Sequence, residues 1–338
     1  MQYIKARTSI SGPTVYGVNG REGRSNAIGC RFILMERMPG TQLAYLWFDK
    51  ESTPGSREQL RARALQTIAA AMVQLNKIKA PQSGGLQLNP GGSFSNTVPA
   101  KIANPYRVGN NDEWCKKPAS KNPAESLTFM NDRYPPISQS NMIEQGNRLF
   151  RRGLVDWAMQ MTPIEDNKQF ILTHTDFDLQ NILVENDGTL YGVIDWDCAA
   201  AVPQHVGCLS YSKWLLKDRD PHHYHPGLDT QQRRALRVEP DSCPEELNHY
   251  RAMYAQFVER EFSVTEDSET SRRAADITRM SLIMANLQNA ESDPSRAPEI
   301  VETLFEGIKR LTQFEDPPEE SESRTTQLRK LTISVRNS

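Results

Sequence analysis

The sequence predicts an α+β protein, with strands gathered around one central hairpin and helices making up most of the rest. Three observations carry this. Two short apolar runs, Ile182 to Val184 and Leu190 to Ile194, flank Asp187-Gly188, a strong hairpin signal. A third run, Phe170 to Leu172, precedes them and reads as a buried strand. Elsewhere, apolar residues recur at helical spacing over 56–77, 138–161, 244–262, 271–290 and 298–314.

Size and composition narrow the classes. A chain of 338 residues can bury a substantial core and could hold two lobes. Lys and Arg number 40 against 42 Asp and Glu, a net charge of −2, so neither a nucleic-acid stripe nor a polybasic membrane surface is expected. No run of eighteen apolar residues exists to span a membrane. The N-terminus lacks the apolar core of a signal peptide. The five cysteines include no Cys-x-x-Cys and read as reduced thiols, with cytoplasm as the default compartment. Oligomeric state is silent.

Taken in order, Met1 to Thr8 reads as the last turns of a helix, broken at Ser11-Gly12-Pro13. Thr14 to Val18 and Cys30 to Met35 read as strands around a Gly-rich loop, 19–26. Gly17, Gly20 and Gly23 lack the spacing of a phosphate loop, and a plain hairpin loop accounts for them. Phe32 to Gly40 is a strand running into a Pro-Gly turn. Ser56 to Lys77 is a helix, with Ser56-x-x-Gln59 as its capping box and Leu60, Ala64, Ile68, Met72 and Leu75 on one face. Residues 80–136 are rich in Pro, Gly, Ser and Asn and read as a long surface excursion, with a short helix near Glu125 to Met130. Trp114 would dock that excursion. The Cys198-Ala-Ala-Ala run would allow close backbone approach and end at Pro203. Tyr211 to Pro221 is expected to be structural. His222, His223 and His225 lack partners at zinc spacing. Residues 314–338 read as a disordered tail, charged and free of aromatics from Glu315 onward.

The chemistry concentrates between Phe170 and Asp197. Centring the turn on Asp187 and Gly188 sets Asn181 opposite Ile194. Asn181 and Asp195 then emerge at the open end of the hairpin, with Asp176 on the loop entering it. Two oxygen-bearing side chains at a strand end can hold a hard cation such as Mg²⁺. A third carboxylate off the metal can accept a proton from an attacking hydroxyl. Phosphoryl transfer needs these parts, because its catalysis is mostly positioning and charge neutralisation. A solvated loop would explain one Asp or Asn alone; the combination of His174, Asp176, Asn181 and Asp195 is what points to chemistry.

Thr-His-Thr-Asp-x-x-x-x-Asn-Ile-Leu-Val followed by Ile-Asp-Trp-Asp resembles the catalytic segment of the aminoglycoside phosphotransferase and choline kinase-like family, in a fungal-type form. The resemblance implies the protein kinase-like fold, with ATP and Mg²⁺ as cofactors and a small-molecule hydroxyl as acceptor. It implies that Asp176 is the catalytic base, that Asn181 and Asp195 are Mg²⁺ ligands, and that His174 braces the loop. Members often carry His where this chain has Asp178. Phe32 to Gly40 resembles the hinge between lobes, so that the Glu36 carbonyl and Met38 amide would bond the adenine edge. On this resemblance residues 1–36 are a remnant of the small lobe and 37–313 the large lobe.

The family's small lobe carries a Gly-rich loop, a strand Lys and a helix Glu, all before the hinge. Before Phe32 the only Lys is Lys5 and the first acidic residue is Glu22. The expectation is a truncated small lobe and an impaired kinase, since each lost charge-assisted bond to phosphate is worth about 1.5–3 kcal/mol. The rivals are a non-catalytic, pseudokinase-like binding protein and a fragment from a misassigned start.

Overall fold

A computed structural model describes residues 2–19, 29–30, 32–88, 94–103, 114–127, 142–160, 170–196, 199–219, 244–292, 300, 301 and 304. Most of the Gly-rich loop, Asp197 and Cys198, the His222 cluster, most of the 298–314 helix and the 314–338 tail lie outside them, as does the Trp114 side chain.

The central hairpin forms from β10 (Ile182–Val184) and β11 (Leu190–Val193). Ile182 pairs with Val193 and Leu183 with Gly192, the register read from the sequence. The turn differs. Glu185 N donates to Thr189 O at 2.8 Å and Gly188 N to Glu185 O at 3.0 Å, so three residues rather than two make the loop. Gly188 takes φ +90°, open to glycine at little cost. Val184 then pairs with Leu190, and a bulge at Tyr191 absorbs the extra residue. The two departures cancel, and Ile194 N donates to Asn181 O at 3.0 Å.

The closed end of the hairpin rests on α3 (Pro54–Asn76). A Cβ on Gly188 would collide with the Leu60 carbonyl, and Leu190 N donates to Thr67 Oγ1 at 2.9 Å. Thr53 caps this helix by accepting from Ser56 N, and Pro54 takes the first turn, where its missing N–H is harmless. The helix therefore starts before the Ser56 to Gln59 box. Leu65, Ile68, Met72 and Leu75 are fully buried, each worth about 1.5–3 kcal/mol of apolar burial.

Around this helix the order is α1 (Gln2–Lys5), β1 (Val15–Asn19), β2 (Phe32–Met35), β3 (Thr41–Gln42) and α2 (Leu43–Trp47). β1 and β2 pair antiparallel, and β3 joins β10 to extend the hairpin sheet. Tyr16, Val18, Ile33, Leu34 and Met35 on the first pair are exposed. Ile4 and Ile10 are buried in the same core as α3, and Ser9 N donates to Gln74 Oε1 at 2.8 Å.

The stretch 80–136 is not structureless. After β4 (Lys79–Ala80) it holds β5 (Gly84–Leu88), β6 (Phe94–Val98), β7 (Ala100–Ala103) and β8 (Trp114–Lys117), with a helical turn at 123–127. β9 (Phe170–Thr173) and β12 (Ala200–Pro203) complete a five-stranded sheet in the order β4-β9-β12-β5-β6. Pro203 is the last residue of β12, a position that tolerates its missing donor. The remaining helices are α4 (Met142–Gln160), α5 (Pro244–Ser263) and α6 (Ser268–Ser292). α5 packs Tyr250, Tyr254 and Val258 into the α3 core, while α4 and α6 share a second core built on Phe150, Leu154, Met280 and Met284.

Candidate active site

The loop between β9 and β10 is closed by its own side chains. Asp178 caps the 3-10 turn Leu179–Asn181, its Oδ1 accepting from Leu179 N at 2.8 Å. Burial pushes the Asp178 carboxyl up. The residue that departs from the family pattern thus has a local structural task. Asn181 sits at the end of that turn, and its Nδ2 donates to Asp176 O at 2.9 Å and to Asp176 Oδ2 at 3.2 Å. Both bonds use the amide nitrogen. Asn181 Oδ1 has no partner among the described residues, so it is an acceptor available to a cation.

His174 is buried, and its Nε2–H donates to Ile194 O at 2.8 Å across the open end of the hairpin. The carbonyl can only accept, so the proton is on Nε2. Burial pushes the imidazole pKa down, opposed by that bond and by the charges of Asp176 and Asp195. Trp196 packs edge-on against the ring at 4.8 Å and donates its own Nε1–H to Val193 O at 2.9 Å. His174 thus ties the loop between β9 and β10 to the strand end from which Asp195 departs.

Asp195 is exposed and adopts φ +61°. It is the non-glycine residue with positive φ among those described, and a conformation of this kind costs about 1–3 kcal/mol unless its surroundings hold it. Here the strand before it ends in the His174 and Asn181 bonds. The backbone then turns, with Ala199 N donating to Trp196 O at 3.0 Å. The arrangement carries the Asp195 carboxylate out of the sheet.

Asp176 is partly exposed. Lys213 Nζ lies 2.5 Å from its Oδ1 and, by that bond, holds the carboxyl below the usual range. Lys213 was not singled out by the sequence, which lies 37 residues from Asp176 and offers no motif linking the two. Its segment, the 3-10 stretch Lys213–Arg219, is structural as expected: Trp214 and Leu215 are buried. The bond from Lys213 to the site is the addition.

The segment that resembles a hinge sits beside the hairpin. Glu36 N donates to Thr14 O at 2.8 Å, while the Glu36 side chain accepts from Thr14 N at 3.0 Å. The bond to Thr14 holds the Glu36 carboxyl below its usual value. Met38 reaches Gly192 on β11: a Cβ there would lie 2.6 Å from Met38 Cε and 2.7 Å from Ser11 O. Gly192 is therefore a point of close approach between the hairpin and the segments carrying Ser11 and Met38.

Among the described residues no group of three or more His, Cys, Asp or Glu could hold a metal. The unpartnered amide oxygen of Asn181 and the exposed Asp195 carboxylate suit Mg²⁺ better, since that ion takes one or two protein oxygens and completes its shell with phosphate and water.

The chain belongs to the phosphotransferase enzyme family, whose profile matches residues 2–205. The family has the kinase-like fold. Over 231 residues the chain is 25% identical to Clavilactone A biosynthesis cluster protein Y of Ampulloclitocybe clavipes, covering 64% of this chain and 52% of that protein. It thus spans about half the length of that curated relative. A crystal structure from Ralstonia eutropha JMP134 with a provisional aminoglycoside phosphotransferase assignment is 17% identical, with a TM-score of 0.42 over 91% of this chain and 82% of that one. No helix among the described residues is long and apolar enough to cross a membrane.

Proposed function

We propose that the protein transfers the γ-phosphate of ATP to a hydroxyl of a small molecule, with Asp176 as base. The observation that carries this is the single connected loop: Asp176 is bonded to Asn181, and Asn181 is bonded to the strand end before Asp195. Asp176 has an accessible carboxylate, held ionised by Lys213, which suits it to take the hydroxyl proton. Asn181 Oδ1 and Asp195 would hold Mg²⁺, which when bound neutralises charge on the phosphates. His174 would fix the separation of loop and strand. The carbonyl of Glu36 and amide of Met38 would receive adenine, as the resemblance of their segment to the family's hinge implies.

β1 and β2 carry no lysine. The 338-residue chain by itself is therefore expected to turn over slowly, because a γ-phosphate misplaced by about 1 Å loses roughly a hundredfold in rate. The test is phosphoryl transfer from labelled ATP to a panel of amino sugars, amino alcohols and sugars. Transfer that depends on Mg²⁺ and falls about 10²–10⁴-fold in Asp176→Asn is expected. Transfer unaffected by Asp176→Asn would sink the assignment. A chain that binds ATP tightly and transfers nothing to any acceptor would favour the binding-protein reading.

A further inference from the structure

A phosphoryl group in flight spreads negative charge over three oxygens, and catalysis depends on cations aimed at them. In this loop the residue two after the base is Asp178, an acid occupied in capping a turn. Among the described residues, a cationic side chain reaches the site at Asp176, where Lys213 is bonded to the carboxylate.

Lys213 is placed from below. Its backbone N donates to Phe177 O at 3.5 Å, next to the base. The following residue, Trp214, is 1% exposed and packs against Phe177 and Trp47. Four residues further, Asp218 is clamped by Arg251 of α5 through bonds of 2.7 and 2.9 Å. The main chain is therefore fixed, while the Lys213 side chain is 56% exposed and shares the open face of the loop with Asp176. An exposed pair of this kind contributes little to stability.

We propose that Lys213 is a catalytic residue that binds the transferred phosphoryl group, a role that rests on the phosphotransfer reading above. Distance supports it. A hydroxyl bonded to Asp176 lies about 2.6–3.2 Å from the carboxylate, and its oxygen about 3–3.5 Å from phosphorus in a reactive pose. With Nζ 2.5 Å from Oδ1, phosphoryl oxygens fall within reach of one rotation of the flexible lysine stem. In the step, the acceptor oxygen forms a bond to the γ-phosphorus. The bond to the β-γ bridging oxygen breaks, with its electron pair leaving on ADP, and the hydroxyl proton passes to Asp176. As Lys213 turns to the phosphoryl oxygens it releases Oδ1 to receive that proton. The ammonium thus guards the base before substrate arrives and follows the charge afterwards.

The test is nucleotide binding by calorimetry, which needs no turnover, on the full chain with Mg²⁺. Lys213→Gln is expected to weaken MgATP roughly 10- to 100-fold, the loss of one charge-assisted bond to phosphate. MgADP, which lacks the γ-phosphate, is expected to bind as in the wild type. Lys213→Arg should keep most of the preference for ATP. Lys217→Gln, removing a like charge four residues on, should change neither affinity. Equal weakening of both nucleotides, no change, or tighter binding in Lys213→Gln would each overturn the role. A wild-type chain that binds neither nucleotide would overturn the phosphotransfer reading and this role together, whereas a wild type that binds both and a Lys213→Gln that matches it would remove the lysine alone.

Discussion

Replacing Arg251 with methionine tests how the segment beside Asp176 is held. The Arg251 guanidinium donates from Nη1 to Leu215 O at 2.6 Å and Asp218 Oδ1 at 2.7 Å, and from Nη2 to Asp218 Oδ2 at 2.9 Å and Asn248 Oδ1 at 2.5 Å. The two charged side chains are 3% and 1% exposed, so neither falls back on bulk water when its partner leaves. Removing one member of such a pair leaves a buried charge without its counter-ion and costs about 3–5 kcal/mol. The Leu215 carbonyl, left without its donor, contributes within that range. Methionine fills part of the stem volume, so the loss is electrostatic rather than a cavity. The double variant Arg251→Met with Asp218→Leu removes both charges and should recover about 2–3 kcal/mol of the single loss. Urea denaturation of wild type, both singles and the double, at about 0.05 and about 0.5 M salt, reads these values; buried pairs are screened little. A single-variant loss below about 1 kcal/mol, or one halved by the added salt, would refute the description of this pair as the buried clamp on the 213–219 segment.

Further outcomes follow from other elements. Gly188→Ala should destabilise the chain by about 2–4 kcal/mol, because the site has φ +90° and a Cβ there collides with the Leu60 carbonyl; a melt unchanged from wild type would contradict the hairpin's seating on α3. His205 is buried, its Nε2–H donates to Ala158 O at 3.1 Å, and burial lowers its pKa. Its folded pKa lies below the unfolded one, so its contribution is present above about pH 6.5 and is lost as pH falls toward the folded value. Relative to wild type, His205→Gln should therefore show a flatter fall in stability with pH in acid, and parallel pH profiles would argue against it. Cys208, buried with its Sγ–H directed at Met72 O and its thiol pushed up to about 12, should resist alkylation by neutral-pH thiol reagents until the chain unfolds. Rapid labelling in the native state would show the core around α3 to be open.

Local chemistry was legible wherever neighbours in sequence are also partners in space. The hairpin register followed from two apolar runs around Asp-Gly, and it survived a misjudged turn because the three-residue loop and the Tyr191 bulge cancel before Asn181. α3 followed from its apolar period, although its cap was Thr53 rather than Ser56, since Pro54 supplied a better start. The strands of 80–136 were not legible. Gly84 and Gly85 pair with Ala201 and Ala200 more than a hundred residues away, and small residues of low strand propensity form that ladder only because the sheet provides partners on both sides. Lys213 escaped for the same reason. Its bond to Asp176 depends on Trp214 and Arg251 fixing a loop from another part of the chain, and no spacing rule encodes that.

A crystal structure with Mg²⁺ and a non-hydrolysable ATP analogue bears most directly on the phosphotransfer account. It should place the cation about 2.0–2.1 Å from Asn181 Oδ1 and an Asp195 carboxylate oxygen, with Asp176 off the metal and facing the γ-phosphate. A cation bound elsewhere, or one that takes Asp176 as a ligand, would contradict it.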